Sequence, residues 1–127
     1  MSIRGDMNIM EDTYRANAAI AKYRTVIFHT TEGYVAYGAA KGNRIAGVTQ
    51  NSSNASGDAV RVRQLGKSLV TISTAGVTVG VPLILSDAEG RVSNAGGATG
   101  DGILGVPEEA GSASGDQITC FLQIRRA

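Results

Sequence analysis

The amino-acid sequence predicts an all-β protein, a small barrel or sandwich built from an internal duplication and preceded by an N-terminal arm. Three observations predict this fold class. Short segments alternate apolar and polar residues, which is the pattern of half-buried strands. Glycine is abundant at 17 of 127 residues, and sixteen of these lie from Gly33 onward, where they mark turns between the segments. After residue 33 no long segment has the 3.6-residue period of an amphipathic helix.

Residues 1–31 are predicted to form an arm that contacts partners, and residues 32–127 a β-rich domain. The arm contains all three methionines and a single glycine, so it lacks the turn signals of the remaining chain. Good helix formers occupy residues 10–22, but their apolar positions form no clear stripe. A helical arm and an extended arm that takes its shape from a partner are therefore both open.

Four strands are predicted within the domain. Residues 59–63 place two valines on one face and two arginines on the other, and a second strand follows at residues 69–73. Residues 77–85 read as a longer strand, which Pro82 assigns to a sheet edge or a bulge because proline donates no ladder hydrogen bond. The clearest alternation is at residues 117–124, with these apolar residues on one face: Ile118, Cys120, Leu122 and Ile124.

Turns are predicted before two of the strands and within residues 86–90. Glycine adopts positive φ angles without steric cost, and an aspartate side chain bonds the backbone of its own turn. The structural turn residues expected on this basis are Gly57, Asp58, Gly90, Gly115 and Asp116. A functional alternative makes the two aspartates paired ligands or acid-base groups.

The sequence also repeats. Residues 45–48 (IAGV) return as residues 103–106 (ILGV), and the tetrapeptide at residues 55–58 (ASGD) returns unchanged at residues 113–116, both with an offset of 58. Upstream the offset is 57, so the duplicated units span about 32–62 and 89–120. Such a repeat predicts two similar hairpin layers packed into one pseudo-symmetric core, because neither unit buries its apolar face alone.

Composition excludes several classes of partner and chemistry. The net charge is +1, so neither nucleic acid nor a membrane is expected as a partner, and the apolar runs are too short to span a bilayer. The single cysteine, Cys120, forms no intrachain disulfide, which fits synthesis in a cytoplasm. His29 is the only histidine, and no motif places it beside a nucleophile or a metal ligand. No catalytic residue, metal site or cofactor is predicted.

The Gly-rich segments carry no catalytic signature either. Residues 96–102 match neither the dinucleotide nor the P-loop pattern, and no Lys-Ser or Lys-Thr follows them as a P-loop requires. Residues 111–115 place Ala113 where a hydrolase elbow requires serine. Both segments are interpreted as connections between strands.

Over residues 33–124 the order of these motifs resembles the capsid decoration, or cement, proteins of tailed bacteriophages. The resemblance depends on six segments in sequence, at residues 45–48, 55–62, 80–83, 87–92, 103–107 and 115–116. It implies a structural virion protein without enzymatic activity that binds the exterior of an icosahedral capsid and stabilises the shell by bridging its subunits. The implied partners are the major capsid protein and further copies of this chain, as a homotrimer near three-fold axes, after synthesis in the host cytoplasm.

If the protein decorates a capsid, the arm supplies the contacts. Cationic side chains would meet an acidic capsid surface, and methionine, isoleucine and tyrosine side chains would be desolvated anchors. The expected partner-binding residues are Met7, Ile9, Met10, Tyr14, Arg15, Lys22, Tyr23 and Arg24.

Two alternatives from other classes remain. A biotinyl or lipoyl carrier domain is also a duplicated β module, but it requires a lysine at an exposed hairpin tip, and the domain offers only Lys41 and Lys67. A carbohydrate-binding surface module usually requires exposed aromatic side chains, and beyond Tyr37 the chain has only Phe121.

Overall fold

Nine strands make up the regular structure in the computed structural model, which describes residues 10–38, 44–73, 77–94 and 102–126. The all-β prediction is confirmed for these residues. The strands are β1 (Met10–Ala16), β2 (Thr25–Phe28), β3 (Tyr34–Tyr37), β4 (Ile45–Thr49), β5 (Ala59–Thr71), β6 (Leu83–Leu85), β7 (Val92–Asn94), β8 (Gly102–Pro107) and β9 (Gln117–Arg126). They form one sheet in the order β1-β3-β2-β4-β5-β9-β8-β6-β7.

The first five strands close into a barrel. β1 pairs in parallel with β3, where Arg15 lies opposite Tyr34, and antiparallel with β5, where Tyr14 lies opposite Val60. This double pairing joins the two ends of the five-strand segment, which leaves no open edge there. Its interior is aliphatic, and the buried residues are Ala16, Ile20, Val26, Val35, Ala46, Val60 and Val62.

The second half of the chain repeats the first, strand by strand. The pairing of Val26 with Tyr37 between β2 and β3 recurs as Leu83 with Asn94 between β6 and β7, a shift of 57 at both positions. The four strands β2 to β5 therefore correspond to β6 to β9. The structural repeat extends upstream of the duplicated sequence units, because β2 and β6 share pairing geometry but few residue types.

β5 belongs to both halves. Its beginning is the last strand of the first barrel, and from Leu65 onward it pairs with β9. Val70 lies opposite Ile118 there, as Tyr14 lies opposite Val60 in the first barrel. A parallel bridge between Ile72 and Val92 completes the correspondence. Two similar barrels thus share one 13-residue strand.

The core of the second barrel includes two residues of the first. Ile45 and Val48 of β4 pack with the aliphatic side chains of β5, β6, β8 and β9. The other buried members are Val70, Ile72, Val77, Leu83, Leu85, Val92, Leu104, Ile118, Cys120 and Leu122. The two barrels are therefore joined by apolar packing as well as by the shared strand.

The predicted boundary between an arm (residues 1–31) and a domain (32–127) differs from the structure. From Met10 onward the predicted arm lies in the first barrel, and Ala16, Ile20 and Val26 are buried in its core. β1 shows no apolar stripe because most of its side chains face solvent. Residues 1–9 lie outside the described residues.

The strand predicted at residues 77–85 is also wrong over most of its length. Gly80 has a φ angle of +84° and the amide of Val81 donates to the carbonyl of Thr78 at 3.3 Å, so the chain turns there. Only Leu83–Leu85 forms a strand, and it lies between β7 and β8 instead of at an edge. Pro82 precedes the strand, where its missing donor costs no ladder bond.

The other strand predictions agree more closely with the structure. Residues 117–124 lie within β9, with the side chains of Ile118, Cys120 and Leu122 buried as expected. The predicted strand at residues 59–63 and most of the one at 69–73 are parts of β5, which continues without a break between them and ends at Thr71.

Candidate functional site

The residues predicted to bind partners are divided between two places. Met10, Tyr14 and Arg15 lie on β1, whereas Lys22, Tyr23 and Arg24 lie in and beside the turn before β2. Met7 and Ile9 lie outside the described residues. Met10 and Arg15 alone are about 16 Å apart along the strand. The structure therefore does not gather the predicted residues into one patch.

On β1, the three predicted residues differ in surroundings. Met10 is 54% exposed, whereas Tyr14 packs against the core of the first barrel. Arg15 is exposed, and its Nη1 donates to the carbonyl of Gly57 at 3.2 Å. Met10 is thus the apolar side chain of β1 that is free to contact another molecule.

In the turn before β2, Arg24 contributes to the fold. Its Nη1 donates to the carbonyl of Glu89 at 2.9 Å and lies 3.9 Å from the Glu89 carboxylate, which ties the first barrel to the turn between β6 and β7. Lys22 is exposed, and its Nζ lies 4.9 Å from the centre of the Tyr23 ring. Lys22 is therefore the cation of this turn that is available to a partner.

The structure instead places Met10 beside two residues that the sequence analysis did not select. Leu65 of β5 lies opposite Met10, and Gln123 of β9 also lies opposite Leu65. Residues opposite one another in an antiparallel pair share a face, and Phe121, two residues from Gln123, shares that face diagonally. Met10, Leu65 and Phe121, here called the outer apolar patch, are 54%, 40% and 39% exposed.

Ion pairs border the outer apolar patch. Glu11 accepts from Arg63 Nε at 2.7 Å and lies 3.6 Å from Arg61 Nη1, while Lys67 Nζ lies 3.2 Å from Glu108. Such partly exposed pairs add little stability, on the order of 0–1 kcal/mol each. Their effect here is to surround an apolar centre with charged side chains.

The signals for Leu65 and Phe121 were weak but present. Residues 61, 63 and 67 of the outward face of β5 are charged, so Leu65 interrupts that face. Phe121 is the only aromatic residue beyond Tyr37. What brings them together is the β5–β9 register, which spans more than fifty residues of sequence.

The two Gly-Asp turns have the same geometry in both repeats. Gly57 and Gly115 have φ angles of +93° and +90°. One oxygen of Asp58 accepts the amides of residues 54 and 55 at 2.9 and 3.1 Å, and one oxygen of Asp116 accepts those of residues 112 and 113 at 3.1 and 3.0 Å. Each carboxylate thus bonds the backbone of its own turn, which is the structural role expected of this residue type.

The turn between β6 and β7 is held by a third aspartate. Asp87 accepts the amides of Glu89 and Arg91 at 2.9 and 3.2 Å, and its second oxygen accepts Arg91 Nε at 2.6 Å. Desolvation acts to raise the pKa of Asp87, but these hydrogen bonds outweigh it and the pKa is lowered. Gly90, with a φ angle of +71°, ends this turn and accepts the amide of Thr25 at 2.8 Å.

Cys120 is buried in the second core, and its thiol is not activated. Desolvation, followed by the charge of Glu108, raises the pKa of Cys120 from 9.0 to about 12. The thiolate is the nucleophilic form, so this cysteine is inert near neutral pH. We expect labelling by a disulfide reagent at pH 8 to be slower in the folded protein than in guanidinium-unfolded protein by about a hundredfold or more, since labelling requires opening of the core. Rapid stoichiometric labelling of folded protein would contradict this assignment.

The same shift gives a pH dependence. Between about pH 9 and 12 the thiol of Cys120 ionises in the unfolded chain and stays protonated in the folded one. Its contribution to stability is therefore complete below pH 9 and is lost as the pH rises through this window.

The described residues also bear on two other types of feature, a metal site and a membrane-spanning helix. Among the residues that the structure describes, no three or more histidine, cysteine, aspartate or glutamate side chains cluster as a metal site would require. In the same residues, no helix is long and apolar enough to cross a membrane.

Comparison with known proteins gives a likeness in fold. No protein-family model matches the chain, and no curated protein sequence matches it. Among solved structures, the crystal structure of the head fiber gp8.5 N base of bacteriophage phi29 is similar, with a TM-score of 0.66. The superposition covers 91% of this chain and 94% of that one, and the two sequences are 19% identical. At this identity the comparison establishes a shared fold.

Proposed function

We propose that this protein is a structural component of a bacteriophage virion that binds the outer surface of the icosahedral capsid and stabilises the shell by bridging its subunits. Two independent lines support this proposal. The order of sequence motifs resembles that of capsid decoration proteins, and the fold over 91% of the chain is similar to a phage head fiber base. The single observation that carries the proposal is this likeness in fold, because it extends over both barrels.

The outer apolar patch supports a binding role and identifies a surface for it. Interfaces commonly have an apolar core and a polar rim, and the patch has both. It lies where β1, β5 and β9 meet, so a partner that covers Met10, Leu65 and Phe121 contacts both barrels. Met10, Leu65 and Phe121 lie on three neighbouring strands, so their exposed side chains form one group instead of being scattered singly over the surface.

The partner that we propose for this surface is the major capsid protein. Arg15 and Lys22 are exposed cations that suit an acidic partner surface, and Met7 and Ile9 remain proposed contacts of the N-terminal segment. We also propose that copies of the chain associate as a homotrimer near three-fold axes of the shell. Several weak contacts that act together bind far more tightly than one alone, so modest affinity per copy is sufficient.

Replacing the apolar patch tests the proposal. We expect Leu65→Ser combined with Phe121→Ser to reduce occupancy on shells of the cognate phage capsid protein by about tenfold or more, because two desolvated anchors are lost. Co-sedimentation with quantified occupancy measures this effect. Val79→Ser is the matched control, because Val79 is 53% exposed but lies outside the patch.

The two variants must be folded for the comparison to count, and a thermal melt checks this. Full occupancy by the folded double variant would exclude the patch as the capsid contact. Failure of the unaltered protein to bind such shells would exclude the function itself. A cryo-EM map of the particle would show whether the copies lie at three-fold axes.

The carrier-domain alternative depended on Lys41 or Lys67 at an exposed hairpin tip. Lys67 lies within β5 opposite Phe121, with its Nζ 3.2 Å from Glu108, instead of at a hairpin tip. Lys41 lies outside the described residues. An intact mass with an added cofactor would restore this alternative, and binding on a glycan array would favour the carbohydrate-binding one.

A further inference from the structure

A second surface feature lies near the end of β9, beyond the outer apolar patch. A cavity of about 480 Å³ is lined by Phe28, Arg44, Ile45, Gly102, Ile124 and Arg125. Its volume lies within the range of pockets that bind ligands or anchoring side chains. Ile124 and Arg125 lie three and four residues beyond Phe121 in β9, so the cavity is displaced along the strand from Phe121 and shares no residue with the patch.

The internal duplication supplies a comparison for Phe28. Phe28 lies opposite Val35 in the first barrel, and Leu85 lies opposite Val92 at the equivalent position of the second. Leu85 is fully buried, whereas Phe28 is 55% exposed. A Cβ placed on Gly38 would lie 2.6 Å from the Leu85 side chain, which shows how closely β3 covers that leucine. The first barrel leaves the equivalent position uncovered.

Two neighbours of Phe28 differ from their counterparts in the same way. Tyr14 corresponds to Val70 and Gln64 to Leu122, and both aliphatic counterparts are fully buried. Tyr14 meets Phe28 edge to face at 5.7 Å between ring centres, and Gln64 Nε2 donates to the Tyr14 hydroxyl at 3.1 Å. Because the second barrel closes with aliphatic residues at these positions, the fold does not require an aromatic and amide cluster here.

The charge around the cavity is positive. Arg44 and Arg125 are exposed, and the lining residues within the described part of the chain include no carboxylate. The ion pairs found among the described residues include neither arginine, and Arg125 Nη1 donates to the carbonyl of Gln123 at 3.2 Å. Guanidinium groups bind carboxylates with favourable geometry, so an acidic ligand complements this rim.

We propose that this cavity binds a protein segment in which an apolar side chain stands next to a carboxylate. The apolar side chain packs against Phe28, Ile45 and Ile124, and the carboxylate pairs with Arg44 or Arg125. Aromatic and arginine residues are the types that dominate binding energy at interfaces. This binding site is separate from the outer apolar patch and does not depend on the proposed capsid function.

A short acidic peptide tests the site directly. We expect the probe acetyl-Gly-Asp-Phe-Asp-Gly-amide, titrated into ¹⁵N-labelled protein, to shift the amide resonances of residues 27–29, 44–46 and 123–126. The lysine analogue, acetyl-Gly-Lys-Phe-Lys-Gly-amide, should bind at least tenfold more weakly, because its charges match those of the rim. An analogue with alanine in place of phenylalanine should also bind more weakly.

Variants of the protein separate the contribution of the arginine side chains from that of the apolar contact with Phe28. Arg44→Gln and Arg125→Gln should each weaken the probe about threefold, the value of a solvent-exposed ion pair. Phe28→Leu installs the residue found at the equivalent position of the second barrel, so it should fold, and it should weaken binding about threefold to tenfold through loss of the ring contact. Arg61→Gln is the control, and it should leave binding unchanged.

Several results would overturn the proposal. No resonance shifts, shifts elsewhere on the protein, or equal binding of the lysine analogue would each exclude an acidic apolar segment as the ligand. If light scattering detects an oligomer that Arg44→Gln dissociates, the occupant is a second copy of this chain instead. The double variant Leu65→Ser with Phe121→Ser should still bind the probe. That result would show that the cavity binds its ligand independently of the surface proposed to contact the capsid.

Discussion

Removal of residues 1–24 is expected to unfold the protein, whereas removal of residues 1–9 is expected to leave it folded. The longer deletion eliminates β1 together with Ile20, which is 1% exposed in the first core. Full burial of such a side chain contributes about 2–3 kcal/mol. The deletion also removes one of the two strands that pair antiparallel with β5 over residues 59–63, because only β4 remains there.

The backbone bonds lost with β1 increase this cost. The amide of Ala16 donates to the carbonyl of Asp58, and its own carbonyl accepts the amide of Gly57, at 2.9 and 2.8 Å. The amide of Ile20 donates to the carbonyl of Ser53 at 3.2 Å, and the amide of Ser53 donates to the carbonyl of Ile20 at 2.8 Å. Ser53 is buried, and its amide and carbonyl would each cost about 1–3 kcal/mol when left unpaired. Together with the lost burial of Ile20, the sum approaches the lower part of the roughly 5–15 kcal/mol by which a domain is stable.

Thermal melts followed by circular dichroism, with light scattering for size, measure the result. The variant without residues 1–24 should show no cooperative transition. A melt like that of the full chain would mean that β1 is dispensable. The variant without residues 1–9 is the control for folding, and its capsid occupancy tests whether Met7 and Ile9 contribute contacts, as the proposed function expects.

Gly105→Ala and Gly47→Ala are each expected to lower the free energy of unfolding by about 3 kcal/mol or more. A Cβ on Gly105 would overlap the carbonyl oxygen of Phe121 and lie 3.0 Å from the Leu122 Cα. A Cβ on Gly47 would overlap the carbonyl oxygen of Arg63 in the same way. These atoms belong to paired strands and cannot move without breaking the ladder, so the cost reaches or exceeds the usual range for overpacking.

Gly57→Ala and Gly115→Ala are the matched controls. A Cβ at either position meets nothing within 4 Å, and only the positive φ angle opposes it. The expected loss is about 1–2 kcal/mol. Urea denaturation of all four variants separates steric overlap from backbone strain most directly at Gly105, because Gly47 also has a positive φ angle, +159°. Equal losses in the two pairs would show that close backbone approach is not what requires glycine at residues 47 and 105.

The sequence predicted those features of the fold that depend on local periodicity. The inward face of β9 and the valines of β5 follow from alternation, and the turns at Gly57 and Gly115 from residue types with positive φ angles. The offset of 58 predicted two similar units, and the strand registers repeat with that offset, as in Val48 with Arg63 and Val106 with Phe121.

Features that depend on pairing over long distances were not predicted. The pattern at residues 77–85 alternates, but nothing in it indicates that the chain reverses at Gly80. Residues 10–16 were predicted to belong to an arm because they show no apolar stripe. In β1 only Tyr14 and Ala16 pack against the first core, and the polar side chains of the strand face solvent.

The same reason explains what was missed at the surface. Of the outer apolar patch only Met10 was expected, because Leu65 and Phe121 become neighbours through the β5–β9 register alone. Phe28 was not predicted to be a binding residue for a similar reason. The exposure of Phe28 becomes informative when it is compared with the burial of Leu85. That comparison requires the structural repeat, since both residues lie upstream of the duplicated sequence units.

The way β5 serves both barrels has a mechanical consequence. A strand of 13 residues extends about 43 Å, and it enters the second barrel with no linker in between. A force applied along this strand passes through covalent backbone and loads the hydrogen bonds to β1 and β9 in shear. Rotation of one barrel against the other would have to bend β5 itself, and Gly66, with a φ angle of +102°, is the position between the two pairings where its backbone departs from extended geometry.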